Sequence, residues 1–595
     1  MLTTRFGRLL RPCRTVIGSS NKVKFSTRPV SQRYEVEDGR EFKWLWPASR
    51  EEAMFKAAHD IGCKTLNAIY RYNTVKPLDP GHVEQALRHF QRTMLVKGFR
   101  LLLRPNRRVI CSPNIANLST QTDPENESSE GREFKWLWPA YREVEMIKAG
   151  HDIGCKHTGG RYRYNTVKPL DPGHVEQALR HYQRKIQNCR CFLREREGKM
   201  WVCEDPNPDI DFEYLEGAES NDVIKQLTGE PFLADWTPTW KARLIPVPAD
   251  APCPIPEIKA AFPYQYDLVM LPHHALIDGF TMSVITGKLV GLLNDVIAGR
   301  PIDDEPFGVY LNNEEIVKID EEIAKAFEKE PKKIEAIKQE LLACDTAPIL
   351  CKAFPPPGGK PSTDFVYRNI NQKSLASFTA KCKANGVTFN SGLEAVINTA
   401  IIEMVREAGV EGESHHMSIN LATDLRRYMK RRPLPILGLH VRPTVHRIET
   451  PFDVRDNFWD YTRNLHQRLS VLLKSGEALQ QNVVREMTLP QLPPVEHHAA
   501  GPKALRDYGV TNVGDLTVLI PGVGEHLQQT DLAMFNCTHY SGFPMLHQIY
   551  TFRGHSPYTL SYDTSYLAED TAVQLMDRIL ALMDELGTSP NTDGK

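Results

Sequence analysis

The sequence predicts a mixed α/β protein whose main body consists of two lobes of similar size. Three observations point there. Strand-like and helix-like patterns alternate from residue 131 onward. A Pro/Gly-dense segment, Phe354-Pro-Pro-Pro-Gly-Gly-Lys-Pro361, divides that region near its middle. A His-His turn sits between an apolar strand and an amphipathic helix in the first half. A chain of 595 residues also exceeds what one hydrophobic core supports, so two or three domains are expected.

In the first half, Asp171-Pro172-Gly173 precedes a helical stripe of Val175, Ala178, Leu179 and Tyr182. Cys189–Arg194 and Lys199–Cys203 read as a hairpin around Glu197-Gly198. Trp240–Val247 and Tyr264–Leu271 read as strands, and Phe280–Ala298 as an amphipathic helix. A charged helical stretch covers 312–344. Residues 131–353 therefore form the first lobe, with a linker at 354–363, because clustered Pro and Gly sustain neither helix nor central strand. The second lobe, 364–588, opens with a strand at 365–370. Helices follow at 373–384 and 390–407, separated at Asn385-Gly386. Strand patterns recur at 417–421, 516–520, 534–540, 547–552 and 558–562 before a final helix at 568–586, and 589–595 is a tail.

The region before residue 131 is organised differently. Residues 39–92 recur at 131–184, ungapped and about four-fifths identical. Two copies of this length do not make a solenoid. Segment 39–130 reads as a truncated duplicate of the lobe start followed by a polar linker, and it carries no counterpart of the His-His motif. Residues 1–38 hold Arg5, Arg8, Arg11 and Arg14 among Leu2, Phe6, Leu9 and Leu10, with no acid before Glu35. Such a segment fits a mitochondrial transit peptide or a disordered basic tail, so a cytoplasmic or mitochondrial location is expected.

Composition narrows the function classes. Hydrophobic and charged fractions of 41% and 25% are ordinary for a globular protein, and a net charge of -1 gives no reason to expect nucleic acid. No run reaches the ~18 consecutive apolar residues of a membrane span. Twelve cysteines fall without a repeated spacing, and the Cys189/Cys191 pair has no partner pair downstream. Neither a metal site nor a disulfide framework is expected, and a reducing compartment fits best.

The chemistry concentrates in His273-His274-Ala-Leu-Ile-Asp278-Gly279, which contains the only His-x-x-x-Asp in the chain. A strand end followed by a tight turn presents a side chain at the mouth of a cleft, and Gly279 permits close backbone approach. A neutral imidazole, with an ordinary pKa of ~6.5, is available as a base. Acyl transfer from a thioester needs such a base, because a hydroxyl is a poor nucleophile until its proton is being removed. Asp278 either touches the ring or pairs with an arginine elsewhere.

This heptapeptide resembles the active-site signature of the chloramphenicol acetyltransferase-like superfamily. That superfamily includes nonribosomal peptide condensation domains, alcohol acetyltransferases, plant acyltransferases and mycobacterial polyketide-associated acyltransferases. Leu170–Arg180 resembles the family's first helix, and Pro238–Ile245 the strand before the motif. Cys382-Lys-Ala-Asn-Gly-Val-Thr388 is similar to a segment of alcohol acetyltransferases. Asp424-Leu-Arg-Arg427, Leu437-Gly438 and Val510–Gly514 extend the likeness, which spans about 160–588.

The resemblance implies a two-lobed chloramphenicol acetyltransferase-like fold with its active site at the lobe interface. It implies His274 as general base, and Asp278 as a structural residue turned away to bind an arginine, for which Arg426 and Arg190 are the candidates. His273 and Gly279 would shape the turn. Acyl-CoA as cosubstrate and a small-molecule or lipid acceptor would enter a tunnel from opposite ends, with no bound cofactor and no metal. Two family elements are missing. The His-Pro-x-Leu-Arg of condensation domains is replaced by Gln187–Leu193, and the plant Asp-Phe-Gly-Trp-Gly is absent.

The reading is thus an acyl-CoA-dependent O- or N-acyltransferase. The alternatives are a carrier-protein-dependent condensation enzyme and a catalytically silent scaffold of the same fold. Asn512 and Gly514 either line the cleft or end a strand. Arg426, Arg427, Lys430, Arg431 and Arg432 either meet coenzyme A phosphates or form a solvated face. His415-His416 and His497-His498 read as exposed loop residues.

Overall fold

The computed structural model of the protein describes residues 132–232, 238–489 and 504–588, with short backbone strands also at Arg33–Glu35, Glu41–Trp44, Tyr72–Thr74 and Asn126–Ser129. Most of the basic 1–38 segment and of the first copy, with His497-His498 and the 589–595 tail, lie outside the described residues. Residues 122–595 form one compact unit, which is described here.

Its first half opens with β1 (Arg132–Pro139), α1 (Arg142–Asp152), β2 (Thr158–Thr166) and α2 (Pro172–Lys185). Asp171 starts α2 by accepting the Gly173 N–H at 2.8 Å, beside a proline whose missing N–H costs nothing in a first turn. The apolar stripe read from the sequence is the buried face: Val175, Ala178, Leu179 and Tyr182 are at most 1% exposed. The hairpin of β3 (Cys191–Arg196) and β4 (Lys199–Glu204) turns at Glu197 and Gly198, with φ of 53° and 73°. Both central residues at positive φ match the twist of the strands they join.

A mixed five-stranded sheet is the frame of this half. It contains β5 (Asp211–Tyr214), β6 (Trp240–Val247), β7 (Tyr264–Pro272), β2 and β14 (Leu527–Asn536), in the order β14-β2-β7-β6-β5. β7 runs antiparallel to both neighbours, from Gln265 opposite Val247 to Pro272 opposite Trp240. Both its faces are covered, which is why it reads as a continuous apolar run. On β2 the sheet demands glycine: a Cβ on Gly159 would lie 2.5 Å from the Met270 carbonyl oxygen and 2.5 Å from the Phe535 ring. The outermost strand, β14, comes from the second half of the chain, so this sheet closes only when both halves are present. α3 (Ser220–Gly229) shares a small core with β7. α4 (Gly279–Ile297) is long and apolar enough to cross a membrane by composition, but two-thirds of that stretch is buried, with Leu289, Leu293 and Ile285 in the first core.

Between the halves, the charged 312–344 stretch forms two helices, α5 (Glu314–Phe327) and α6 (Pro331–Ala343), rather than one. Pro331 lacks the N–H a continuing helix needs. The second half holds β9 (Thr363–Ile370), α7 (Gln372–Ala384), α8 (Phe389–Glu407), β10 (Ser414–Asp424), β12 (Val441–Pro451), α9 (Phe458–Lys474) and α10 (Glu477–Thr488). It ends with β13 (Tyr508–Asp515), β15 (Met545–Thr551), β16 (Ser556–Asp563) and α11 (Glu569–Thr588). Its six-stranded sheet has the order β9-β16-β15-β13-β10-β12. Short strands β8 (Val309–Tyr310) and β11 (Ile436–Leu437) pair in parallel and join the halves.

The sequence pattern assigns no element to 441–488, yet β12, α9 and α10 lie there. β12 escapes a period-2 reading because its buried residues include Arg442, Thr444, His446 and Thr450, each hydrogen-bonded to a polar side chain. Its exposed Pro443 is tolerated because β12 is an edge strand. Residues 516–520 form a turn and not a strand, closed by the Ile520 N–H on the Leu516 carbonyl at 2.7 Å before Pro521. The strand read at 534–540 lies at 527–536. His415 and His416 belong to β10, not to a loop.

Candidate active site

The strand ladder fixes where the motif begins. β7 ends at Pro272; the His273 N–H then reaches the Thr239 carbonyl at 2.7 Å, and the chain turns into α4. Asp278 caps that helix, accepting the Thr281 N–H at 2.9 Å. A carboxylate at a helix N-terminus satisfies a free N–H and complements the helix dipole.

Asp278 does not touch the His274 ring. Its carboxylate accepts from Arg426 at 2.8 and 3.1 Å and from the His440 N–H at 2.8 Å. Arg426 lies in the 425–428 turn of the second half, and its guanidinium also covers the Phe280 ring at 4.6 Å. Burial raises the Asp278 pKa, but the Arg426 charge and hydrogen bonds outweigh it and hold the carboxyl below the ordinary aspartate value. The second candidate partner, Arg190, lies elsewhere: it grips Glu204 across the β3–β4 hairpin at 2.6 Å. An acid 14 residues away claims it first. The 187–193 stretch instead supports the motif through Asn188, whose amide donates to the Leu276 carbonyl at 2.8 Å.

The His274 ring is oriented by its own turn. Nδ1 lies 2.8 Å from the Ile277 carbonyl oxygen. A carbonyl only accepts, so Nδ1 carries the hydrogen and Nε2 keeps its lone pair. The residue is half-buried while its neighbours are buried. Burial holds its pKa below the ordinary histidine value, against the opposing pull of the Ile277 carbonyl and the Asp278 charge.

His273 is fully buried, and its Nδ1 accepts the Ala275 N–H at 3.3 Å. It stacks on His151, with ring centroids 4.1 Å apart and planes 19° apart; His151 in turn stacks on His157 at 4.6 Å. Nearly parallel rings aim their lone pairs side by side and not at one point. Among the described residues no group of three or more His, Cys, Asp or Glu side chains is arranged to hold a metal ion.

Gly279 is not the close-approach glycine expected from the sequence: a Cβ there would meet nothing within 4 Å. That role belongs to Gly438, with φ of +136°, where a Cβ would lie 2.7 Å from His440 Nε2. The Gly438 carbonyl accepts from Thr281 Oγ1 at 3.0 Å and from the Asp278 N–H at 3.3 Å. Asn512 and Gly514 form a bulge between β13 and β15. Asn512 donates to Asn390 and accepts the Gly514 N–H at 2.8 Å, which holds the bulge in place. Of the basic cluster, Arg426 is committed to Asp278 and Arg432 to Glu315, while Arg427 and Arg431 are exposed.

No protein-family profile and no curated protein sequence matches the chain. Its fold does match solved structures. The chain shares its mixed α/β fold with solved acetyltransferase and condensation-domain structures. It is similar to the trichothecene 15-O-acetyltransferase of Fusarium sporotrichioides (TM-score 0.56, 13% identity, covering 78% of this chain and 99% of that one). It is also similar to the first condensation domain of the CDA synthetase (TM-score 0.54, 13% identity, 76% and 96% covered). The condensation domain of a monacolin K polyketide synthase gives a TM-score of 0.53 at 9% identity, with 78% and 99% covered.

Proposed function

We propose that the protein is an acyltransferase in which His274 is the general base, moving an acyl group from acyl-CoA to an alcohol or amine acceptor. The observation that supports this most directly is the 2.8 Å contact between His274 Nδ1 and the Ile277 carbonyl, which leaves Nε2 as the free basic atom. In the proposed reaction Nε2 takes the proton of the acceptor as its oxygen or nitrogen attacks the thioester carbonyl. The tetrahedral oxyanion then collapses, the carbon–sulfur bond breaks, and the imidazolium returns its proton to the leaving thiolate. Donor and acceptor would reach the base from opposite ends of the lobe interface, with the acceptor a small molecule or lipid.

Asp278 has no step in this scheme. Its carboxylate is occupied by Arg426 and two main-chain N–H groups, so it acts by holding the turn.

The test is thiol release from acetyl-CoA and longer acyl-CoAs over a panel of alcohols and amines, comparing the full chain with His274→Ala. Acceptor-dependent release that collapses in the variant supports the reading. Release only from a phosphopantetheinyl carrier protein would move the donor assignment to a condensation-type enzyme. No release from either donor, with no coenzyme A binding, would leave a silent scaffold.

A further inference from the structure

Behind the proposed base lies a histidine that the reaction scheme does not use. His151 sits in the last turn of α1, fully buried, and 123 residues before His274 in sequence. Its Nε2 is 3.3 Å from the main-chain nitrogen of His274. That N–H lies two residues past the end of β7, where the ladder has ended, so a side-chain acceptor takes the place of a strand partner.

The ring that accepts it is clamped on three sides. His273 and His157 stack on its faces at 4.1 and 4.6 Å, and Phe232 meets it edge-on at 5.6 Å. Phe232 also meets His273 edge-on, at 5.3 Å. The Phe232 N–H donates to the His151 carbonyl at 2.8 Å, which ties the clamp to α1. To accept at Nε2 the imidazole must be neutral and carry its hydrogen on Nδ1. Burial and the neighbouring imidazoles hold its pKa well below the ordinary value, so the ring stays neutral at neutral pH.

We propose that His151 is a positioning residue for the reaction, fixing the main chain of His274 through Nε2 while the Ile277 carbonyl fixes its ring. The base is then held at both ends. This rests on the reading of His274 as general base. A misplacement of about 1 Å at a reacting group costs on the order of 100-fold in rate, so a loose main chain at His274 is read in kcat.

Two substitutions separate an acceptor from a space-filler. His151→Phe keeps an aromatic ring in the stack and removes the acceptor; His151→Gln keeps an acceptor oxygen of similar reach. Each is compared with wild type and His274→Ala for kcat, acyl-CoA KM and thermal midpoint. The expected result is a kcat loss of about 10- to 100-fold in His151→Phe, with KM little changed and most of the activity restored in His151→Gln. Equal activity in both variants, or a loss in His151→Phe that Gln does not rescue, overturns the proposal. If His274→Ala retains full activity, the base assignment fails instead.

A readout independent of turnover is amide hydrogen exchange in 15N-histidine-labelled full-length protein. The His274 amide should lose protection in His151→Phe and keep it in His151→Gln; unchanged protection in His151→Phe overturns the hydrogen bond. Should both variants fail to fold, the 15N shifts of wild-type His151 decide, since a protonated Nε2 rules the acceptor out.

Discussion

Arg426 grips the carboxylate of Asp278 with two nitrogens, at 2.8 and 3.1 Å, across 148 residues of sequence. The acid caps the helix that follows the His274 turn, and the arginine belongs to the opposite half of the chain. The geometry of the proposed base therefore depends on the two halves being docked.

Removing the cation should be costly, because a buried carboxylate left without its partner is a known source of large destabilisation. Arg426→Ala should lower unfolding free energy by about 3–5 kcal/mol, read from urea denaturation at neutral pH. A double variant with Asp278→Asn should recover part of that loss. Additive losses would mean that the pair is not coupled.

The acid limb of kcat/KM should lie below the ordinary histidine value of ~6.5. Burial favours the neutral ring, so His274 keeps its lone pair to lower pH than a free imidazole does. A pH–rate profile checks this, and a limb at or above 6.5 would contradict the assigned environment.

Stability should fall as pH drops from about 6.5 toward 4.5. His151, His157, His273 and His547 are buried and neutral, and His157 and His547 are pushed down to about 3. The unfolded chain takes up protons from about 6.5 downward while the folded chain does not, so their stabilisation is complete above that pH and is lost below it. Each such group contributes up to about 1.4 kcal/mol per pH unit. The slope of unfolding free energy against pH should be shallower by roughly one proton in His157→Phe.

Gly159→Ala should destabilise the five-stranded sheet by about 1–3 kcal/mol, since the added methyl meets the Met270 carbonyl and the Phe535 ring. Gly279→Ala, where nothing lies within 4 Å, should be nearly neutral. Comparing thermal midpoints of the two tests whether the pleat is as tight at Gly159 as the geometry requires.

The local grammar of this fold is legible in the sequence. The apolar run of β7, the hairpin at Glu197-Gly198 and the stripe of α2 each act within one or two turns of chain. The site is legible only where it is local. His274 and Asp278 stand in one heptapeptide, but nothing nearby indicates that Arg426 and not Arg190 reaches Asp278. His151 and His157 carry no signal, since only the docking of α1 and β2 brings them beneath the motif. β14 reads as a strand, yet its place in the first sheet is a long-range pairing that pattern does not encode. β12 hides because its buried face is polar.

The crowding at Gly159 also bears on the duplication. The first copy repeats Tyr70, Tyr72, Val83 and Leu87 where the second has the core residues Tyr162, Tyr164, Val175 and Leu179. The longest run of differences is Thr65-Leu-Asn67-Ala68-Ile69 in place of His157-Thr-Gly159-Gly160-Arg161. Those are the positions that stack on His151, pass beneath the Met270 carbonyl and carry the Arg161–Asp531 ion pair at 2.7 Å. In this frame a side chain such as Asn67 at the Gly159 position would put its Cβ 2.5 Å from the Met270 carbonyl oxygen, so the two near-twin sequences are not interchangeable here.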